Sequence, residues 1–292
     1  MKPALFEYVH AESIQQALEE LARGDCQPLA GGQSLIPAMN FRLATPARLV
    51  DLGGLQQLRG LRLCGNDIVA GAMTRHRDFE TDANVRRLLP MLPHALVAVA
   101  HVPIRNRGTI GGSLAHADPA ADWPALCLAC ETRMTLRSID GERSVSAAEF
   151  QLGLFETAIE PGELLTEIRF PAWPAQRRWG VEKMTRRRGD FAIAGAIVLL
   201  DLDADGVCQW ARIVLQGVTD TPFVAAAAQQ LMLGRRPDAQ LLQQAADAAR
   251  AAVQPRSDLH ASSEYRSELV AVLTRRALQR ALAQGASSAT GP

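Results

Sequence analysis

Apolar residues at Ile14, Ala17, Leu18 and Leu21 recur at helical spacing behind Ser13, which predicts a helix capped at Ser13 and running through Ala22. Gln27–Ala30 then reads as a strand entering Gly31-Gly32, and Arg48–Leu52 as a second strand. Between them Ser34 stands where a helix N-cap is expected, with Pro37 tolerable in the first turn beyond it. From Leu58 to Ala72 short strands alternate with Gly and Asn turns, and Thr74 is expected to cap a helical region that reaches about Ala100, broken by Pro90 and Pro93. Trp123–Ala129 reads as helix, and Met134–Ser138 and Leu164–Phe170 as strands. Pro171 and Pro174 break regular structure and mark a seam. Beyond it the pattern changes. Trp179–Thr185, Ala192–Leu202 and Val207–Gly217 form an antiparallel meander with a hairpin turn at Asp203-Ala204-Asp205-Gly206, followed by helices near Val224–Leu233, Asp238–Val253 and Ser263–Ala283. The tail, Gly285–Pro292, has the composition of a disordered segment.

At 292 residues and 48% hydrophobic the chain is long enough for two domains with a sizeable core. Thirty-one basic residues balance thirty-one acidic ones, so no net field draws it to nucleic acid or an anionic membrane; Arg186-Arg187-Arg188 is the strongest basic cluster and reads equally as a solvated turn. The N-terminus lacks the apolar stretch of a signal peptide and no run is long enough for a membrane span, so a cytoplasmic setting is the default expectation. Cys127 and Cys130 form a lone C-x-x-C in an apolar, helical context, with no second pair at zinc or iron–sulfur spacing; core packing is the favoured reading and a redox dithiol the rival.

The candidate chemistry lies in two glycine-rich turns, Leu29-Ala30-Gly31-Gly32-Gln33-Ser34-Leu35 and Thr109-Ile110-Gly111-Gly112-Ser113. Paired glycines turn the backbone sharply and expose consecutive N–H groups, which hold a phosphate without side-chain charge. Two such loops are expected to grip one dinucleotide from both sides, with the Thr109 and Ser113 hydroxyls facing phosphate oxygens and carboxylates at Asp118 and Asp122 available to sugar or ribityl hydroxyls. The first loop is neither a P-loop nor a Rossmann fingerprint: it lacks G-x-G-x-x-G, and no suitably placed acidic residue is evident after a second strand. His101 and His116 flank the second loop, where local hydrogen bonding, base catalysis and a covalent link to a bound cofactor are the alternatives.

Three segments occur in an order and spacing that identify a resemblance: Ala30-Gly31-Gly32-Gln33-Ser34, Ile104-Arg105-Asn106-Arg107-Gly108-Thr109-Ile110-Gly111-Gly112-Ser113, and Lys183-Met184-Thr185-Arg186-Arg187-Arg188-Gly189-Asp190-Phe191-Ala192. Together they resemble the FAD-binding medium subunit of molybdenum hydroxylases, the xanthine dehydrogenase and carbon monoxide dehydrogenase family, over nearly the whole chain. The resemblance implies an α+β protein: a PCMH-type FAD-binding domain (1–173) of two α/β subdomains (1–54 and 55–173), then a C-terminal antiparallel sheet with packed helices (177–284). It implies FAD held by Ala30, Gly31, Gly32, Gln33, Ser34 and Leu35 with Thr109, Gly111, Gly112 and Ser113; a cofactor-binding carboxylate at Asp122; an apolar contact to the flavin ring from Leu165; and a lysine near the flavin at Lys183, where a cation favours the anionic reduced form. Ser113 stands where many relatives carry Asn or Asp, and Gln33 where some carry His; both keep hydrogen-bonding capacity. The implied partners are a small subunit with two [2Fe–2S] clusters and a large molybdenum-cofactor subunit, in a dimer of heterotrimers, with no nucleic acid and no membrane span. The implied function is electron transfer from the clusters to an external acceptor. The alternatives are a self-sufficient flavin oxidase of the vanillyl-alcohol-oxidase-like class and a vestigial assembly protein.

Overall fold

The structure is a computed structural model and describes residues 2–284; the expected disordered tail lies outside the described residues. The described residues group into two compact units that do not follow chain order: 2–85, 101–117 and 131–171 make the first, and 86–100, 118–130 and 172–284 the second.

The first unit begins with β1 (Glu7–His10), α1 (Ile14–Ala22), β2 (Cys26–Leu29), α2 (Leu35–Asn40) and β3 (Arg48–Asp51). The three strands form a parallel sheet in the order β1-β3-β2, with Leu29 opposite Asp51. The Ser13 cap forms as expected: its hydroxyl accepts the Gln16 N–H at 3.1 Å, and Ala17, Leu18 and Leu21 are buried. The short β1 gave no alternating signal in the sequence, because only Val9 of its four residues is even half-buried; its pairing with β3 alone makes it a strand.

A second sheet in the same unit has the order β4-β5-β10-β6-β7, all antiparallel, from Leu61–Cys64, Asp67–Gly71, Leu164–Phe170, Arg133–Ser138 and Gly141–Ser146. A two-stranded ribbon, β8 (Gln151–Gly153) with β9 (Glu156–Thr157), follows the short helix α9 (Ala147–Phe150). Leu18, Val50, Leu52, Leu55, Leu58, Met73 and Leu164 form one apolar cluster joining the parallel layer to this sheet. Each such side chain contributes about 1.5–3 kcal/mol by leaving water.

The helical stretch after Thr74 differs from expectation. The Thr74 hydroxyl donates to the Gly60 carbonyl and caps nothing; the Arg75 N–H is taken by the Asp78 carboxylate as α3 (His76–Thr81) begins. The chain then breaks at Asp82, whose extended backbone ends α3 and whose carboxylate accepts the Val85 N–H in α4 (Ala83–Leu88). Proline therefore is not the first breaker. Pro90 precedes α5 (Met91–Leu96), and Pro93 sits in its first turn, where no donor is needed.

His76 is buried in this unit, and burial, reinforced by the Arg105 cation, pushes its pKa down to about 4. The folded chain thus holds this imidazole neutral while the unfolded chain protonates it near pH 6.5. Its contribution to stability is complete above pH 6.5 and is lost as pH falls from there toward 4, by up to about 3 kcal/mol. Urea unfolding across that window checks this, with the His76→Gln chain expected to show a flatter profile.

In the second unit β11 (Arg178–Met184), β12 (Ala194–Leu202), β13 (Cys208–Gln216) and the short β14 (Phe223–Val224) form an antiparallel meander in chain order. The Asp203–Gly206 turn forms as expected, with Gly206 at φ +78° and the Asp203 carboxylate accepting from the amides of Asp205 and Val207. Helices α10 (Ala226–Met232), α11 (Ala239–Ala251) and α12 (Ser263–Ala283) supply the apolar face that covers the sheet. Val224, expected to open α10, instead pairs with Val214 as strand. Gly180 lets α12 lie directly on β11: a Cβ there would fall 2.0 Å from the Ala277 carbonyl oxygen.

Candidate functional site

The first glycine segment leaves the C-terminal end of β2 and enters α2. Gly32 adopts φ +69°, which an L side chain rarely tolerates, and reverses the chain at that point. Among the described residues no carbonyl or side chain accepts the main-chain N–H of Gly31, Gly32, Gln33 or Ser34. Four consecutive donors are therefore open, as the sequence led one to expect for an anion-binding loop. Ser34 corrects a detail: its backbone is already helical and its side chain makes no capping bond, while Ile36 donates instead to the Gly32 carbonyl. The Gln33 side-chain amide donates to the Gly31 carbonyl at 3.1 Å and braces the turn.

The second segment is not a loop. Thr109 is the N-cap of α7 (Ile110–His116), its hydroxyl accepting the Gly112 N–H at 3.1 Å. Ile110 donates to the Thr74 carbonyl, Gly111 to the Ala72 carbonyl and Ser113 to the Thr109 carbonyl. All four of these amides are occupied within the chain, so the expectation of an exposed N–H row does not hold here. The glycines serve close approach instead. A Cβ on Gly111 would lie 2.6 Å from Ala72, and one on Gly31 would lie 2.3 Å from the Arg107 carbonyl oxygen. The two segments therefore touch backbone to backbone, through Gly31 and Arg107–Gly108.

Above this junction lies a cavity of about 640 Å³, walled on one side by Ala30, Gly31, Gly32 and Gln33, with Thr109 also on its lining. Sequence reasoning missed its other groups. Arg59, Arg75 and Arg107 line it, and the guanidinium groups of Arg75 and Arg107 form no ion pair among the described residues. Tyr8 and Asp51 line it as well. Asp51 ends β3, in register with the last residue of β2, and so overturns the reading that no acidic residue follows a second strand. Arg107 carried a sequence signal, from its place just before the second glycine pair; Tyr8 is brought in by the pairing of β1 with β3, and Asp51 by the pairing of β3 with β2.

The second unit assembles the remaining charged positions. Asp122 is the first residue of α8 (Asp122–Ala129), where the helix dipole favours a carboxylate. Lys183, on β11, lies 2.9 Å and 3.1 Å from its two oxygens and donates to the Ala98 carbonyl at 2.9 Å. Gln216 donates to Asp122 at 3.2 Å and to the Ala120 carbonyl at 3.1 Å. Both members of the pair are nearly buried, and a cavity of about 210 Å³ opens beside them. Burial pushes the Asp122 pKa up, with Lys183 and Gln216 opposing it. The sequence placed these two residues in different motifs; only the fold shows them as a pair.

Leu165 is buried on β10, opposite Leu136 in β6. His116 packs its ring on Phe155, centroids 5.2 Å apart, and His101 lies exposed at the N-cap of α6 (Val102–Arg105). Cys127 and Cys130 are buried in and just beyond α8 and form no disulfide. Arg186–Arg188 is exposed. Among the described residues no three His, Cys, Asp or Glu are gathered as metal ligands, and no helix is long and apolar enough to cross a membrane.

An open amide row, a large cavity and two guanidinium groups without ion pairs among the described residues make up the chemistry that a diphosphate-containing ligand needs. Residues 4–173 match the family described as "FAD binding domain in molybdopterin dehydrogenase", and residues 179–281 match "CO dehydrogenase flavoprotein C-terminal domain". The chain belongs to the FAD-binding medium subunits of the molybdenum hydroxylases. It is 40% identical over 286 residues to the carbon monoxide dehydrogenase medium chain of Afipia carboxidovorans, covering 97% of this chain and 99% of that one. It is 38% identical over 284 residues to the 6-hydroxypseudooxynicotine dehydrogenase complex subunit alpha of Paenarthrobacter nicotinovorans, covering 97% and 96%. Among solved structures it superposes on a chain of quinoline 2-oxidoreductase from Pseudomonas putida 86 with a TM-score of 0.93, at 38% identity over 98% of this chain and 99% of that one. The chain is thus an oxidoreductase flavoprotein subunit whose cofactor is FAD.

Proposed function

We propose that this chain accepts electrons from the [2Fe–2S] clusters of a small partner subunit and passes them to an external acceptor, while a large molybdenum-cofactor subunit oxidises the organic substrate. The observation that carries the reading is the row of four open amides facing a cavity with two guanidinium groups that form no ion pair among the described residues, in a chain whose relatives are named as medium chains and complex subunits. FAD, when bound, takes up electrons singly and releases them in pairs.

Gly31, Gly32, Gln33 and Ser34 would hold the diphosphate through their N–H groups, with Ala30 and Leu35 framing the turn. Thr109 already accepts the Gly112 N–H, so its own O–H is left to donate, and Ser113 offers a second hydroxyl one turn on. Gly111 and Gly112 act by letting this helix approach Ala72 and Ala30. On the family resemblance, Leu165, Asp122 and Lys183 are flavin contacts. On the same resemblance the assembly is a cytoplasmic dimer of heterotrimers, and cysteines that form no disulfide suit a reducing compartment.

The test is reconstitution with and without the two partners. The isolated chain is expected to bind FAD yet leave it oxidised when offered the substrate of the complex, whereas the full complex bleaches the flavin on substrate addition. Flavin bleaching by substrate in the isolated chain would instead establish the self-sufficient oxidase.

A further inference from the structure

The N-terminal sheet carries an acidic side chain that the glycine motifs do not announce. β2 runs into the open amide row, α2 crosses over, and β3 returns parallel to β2 and ends at Asp51, opposite Leu29. Ligands of parallel sheets bind beyond the carboxyl ends of the strands. A carboxylate about twenty residues past a phosphate-binding turn, at the end of the adjacent strand, lies within reach of the ribose of a nucleotide whose phosphates sit on that turn. Asp51 has this position although the fingerprint glycines are absent.

Its surroundings are built to hold it ionised and aimed. The Gly53 N–H donates to Oδ1 at 2.8 Å, the Tyr8 hydroxyl donates to Oδ2 at 2.5 Å, and His10 Nδ1 lies 3.4 Å from Oδ2. These donors hold its pKa below the usual carboxylate range against the opposing effect of partial burial. A carboxylate offers about four lone-pair sites, so three neighbours leave acceptor capacity unspent. Asp51, Tyr8 and Gly53 share one cavity with Gly31 and Gly32.

We infer that Asp51 reads the adenosine ribose: its carboxylate accepts hydrogen bonds from the ribose diol and thereby selects the dinucleotide flavin over the mononucleotide. Tyr8 is a positioning residue that fixes the carboxylate rotamer. The inference rests on FAD being the ligand of this cavity.

The experiment titrates the deflavinated full chain with FAD, with the analogue of FAD whose adenosine is 2′,3′-dideoxy, and with FMN. A hydrogen bond to a charged group corresponds to roughly a tenfold preference or more, so the native chain is expected to bind FAD at least about tenfold more tightly than the dideoxy analogue. Asp51→Asn is expected to reduce that ratio to about one while leaving FMN affinity unchanged. Asp51→Glu, which keeps the charge and moves it by a methylene, is expected to lose the preference in the same way and serves if the first variant fails to fold. A native ratio near one, or a ratio that survives both substitutions, overturns the role of Asp51 while FAD binding stands. Failure of the native chain to bind FAD at all overturns both readings.

Discussion

Gly31→Ala is expected to strip the purified chain of most of its FAD. The added methyl carbon would lie 2.3 Å from the Arg107 carbonyl oxygen and 2.9 Å from the Gly108 Cα. Ordinary carbon contacts begin near 3.5 Å, so the two backbone segments must separate by about 1 Å. Neither obstacle is the end of a flexible side chain, and relief therefore moves the amide row itself. Overpacking of this kind costs about 1–3 kcal/mol. Because the displaced atoms are the donors, the cost falls on binding as well as on folding. Flavin absorbance per mole of protein should drop about tenfold or more, with a smaller change in the thermal midpoint of the flavin-free chain. A Gly31→Ala chain that retains its full complement of FAD would remove this junction from the binding site.

Lys183→Met should destabilise the fold by about 3–5 kcal/mol near neutral pH, since it leaves a nearly buried carboxylate with Gln216 and its own helix-terminal amide but without its ion-pair partner. The loss should depend on pH, with a determinate sign. Burial already pushes the Asp122 pKa upward, and Lys183 is the main group opposing it. Without the lysine the folded-state pKa rises further above the unfolded value. The native state is then least penalised below the unfolded pKa and loses stability as pH rises toward the folded one. Urea midpoints in mild acid and near neutrality measure this directly. The double variant Lys183→Met with Asp122→Asn should recover most of the neutral-pH loss. A single variant as stable as the native chain at both pH values would show that the ion pair contributes nothing.

Several features were legible in the linear chain because they depend on local chemistry. Ser13 caps the helix it precedes, as its place before the apolar stripe suggests; Asp238 and Ser262, which the sequence reading did not single out, cap theirs in the same way, each accepting the N–H of the third helical residue. The meander could be read from three long apolar runs and an Asp-Gly turn, and the first glycine segment from two adjacent residues that suit neither strand nor helix. The failures share a physical cause. Thr109-Ile110-Gly111-Gly112 was read as an exposed turn because paired glycines disfavour helix. Here the Thr109 cap and the contact with Ala72 outweigh that propensity of about 1 kcal/mol per glycine. Thr74 looked like a cap, but the Gly60 carbonyl, far away in sequence, claims its hydroxyl.

The candidate site divides along the same line. The order of the motifs, their glycines and the family they resemble follow from residue identity and spacing alone, because a tight turn or a helix start is determined within a few residues. The union of Asp51 and Tyr8 with the amide row, the convergence of Arg59, Arg75 and Arg107 on one cavity, and the closure of Lys183 on Asp122 were decided by tertiary structure. Strand pairing brings β1 beside β3, and packing buries opposite charges together. Those partners are separated by tens of residues, and no local pattern in the chain distinguishes them from ordinary surface charges.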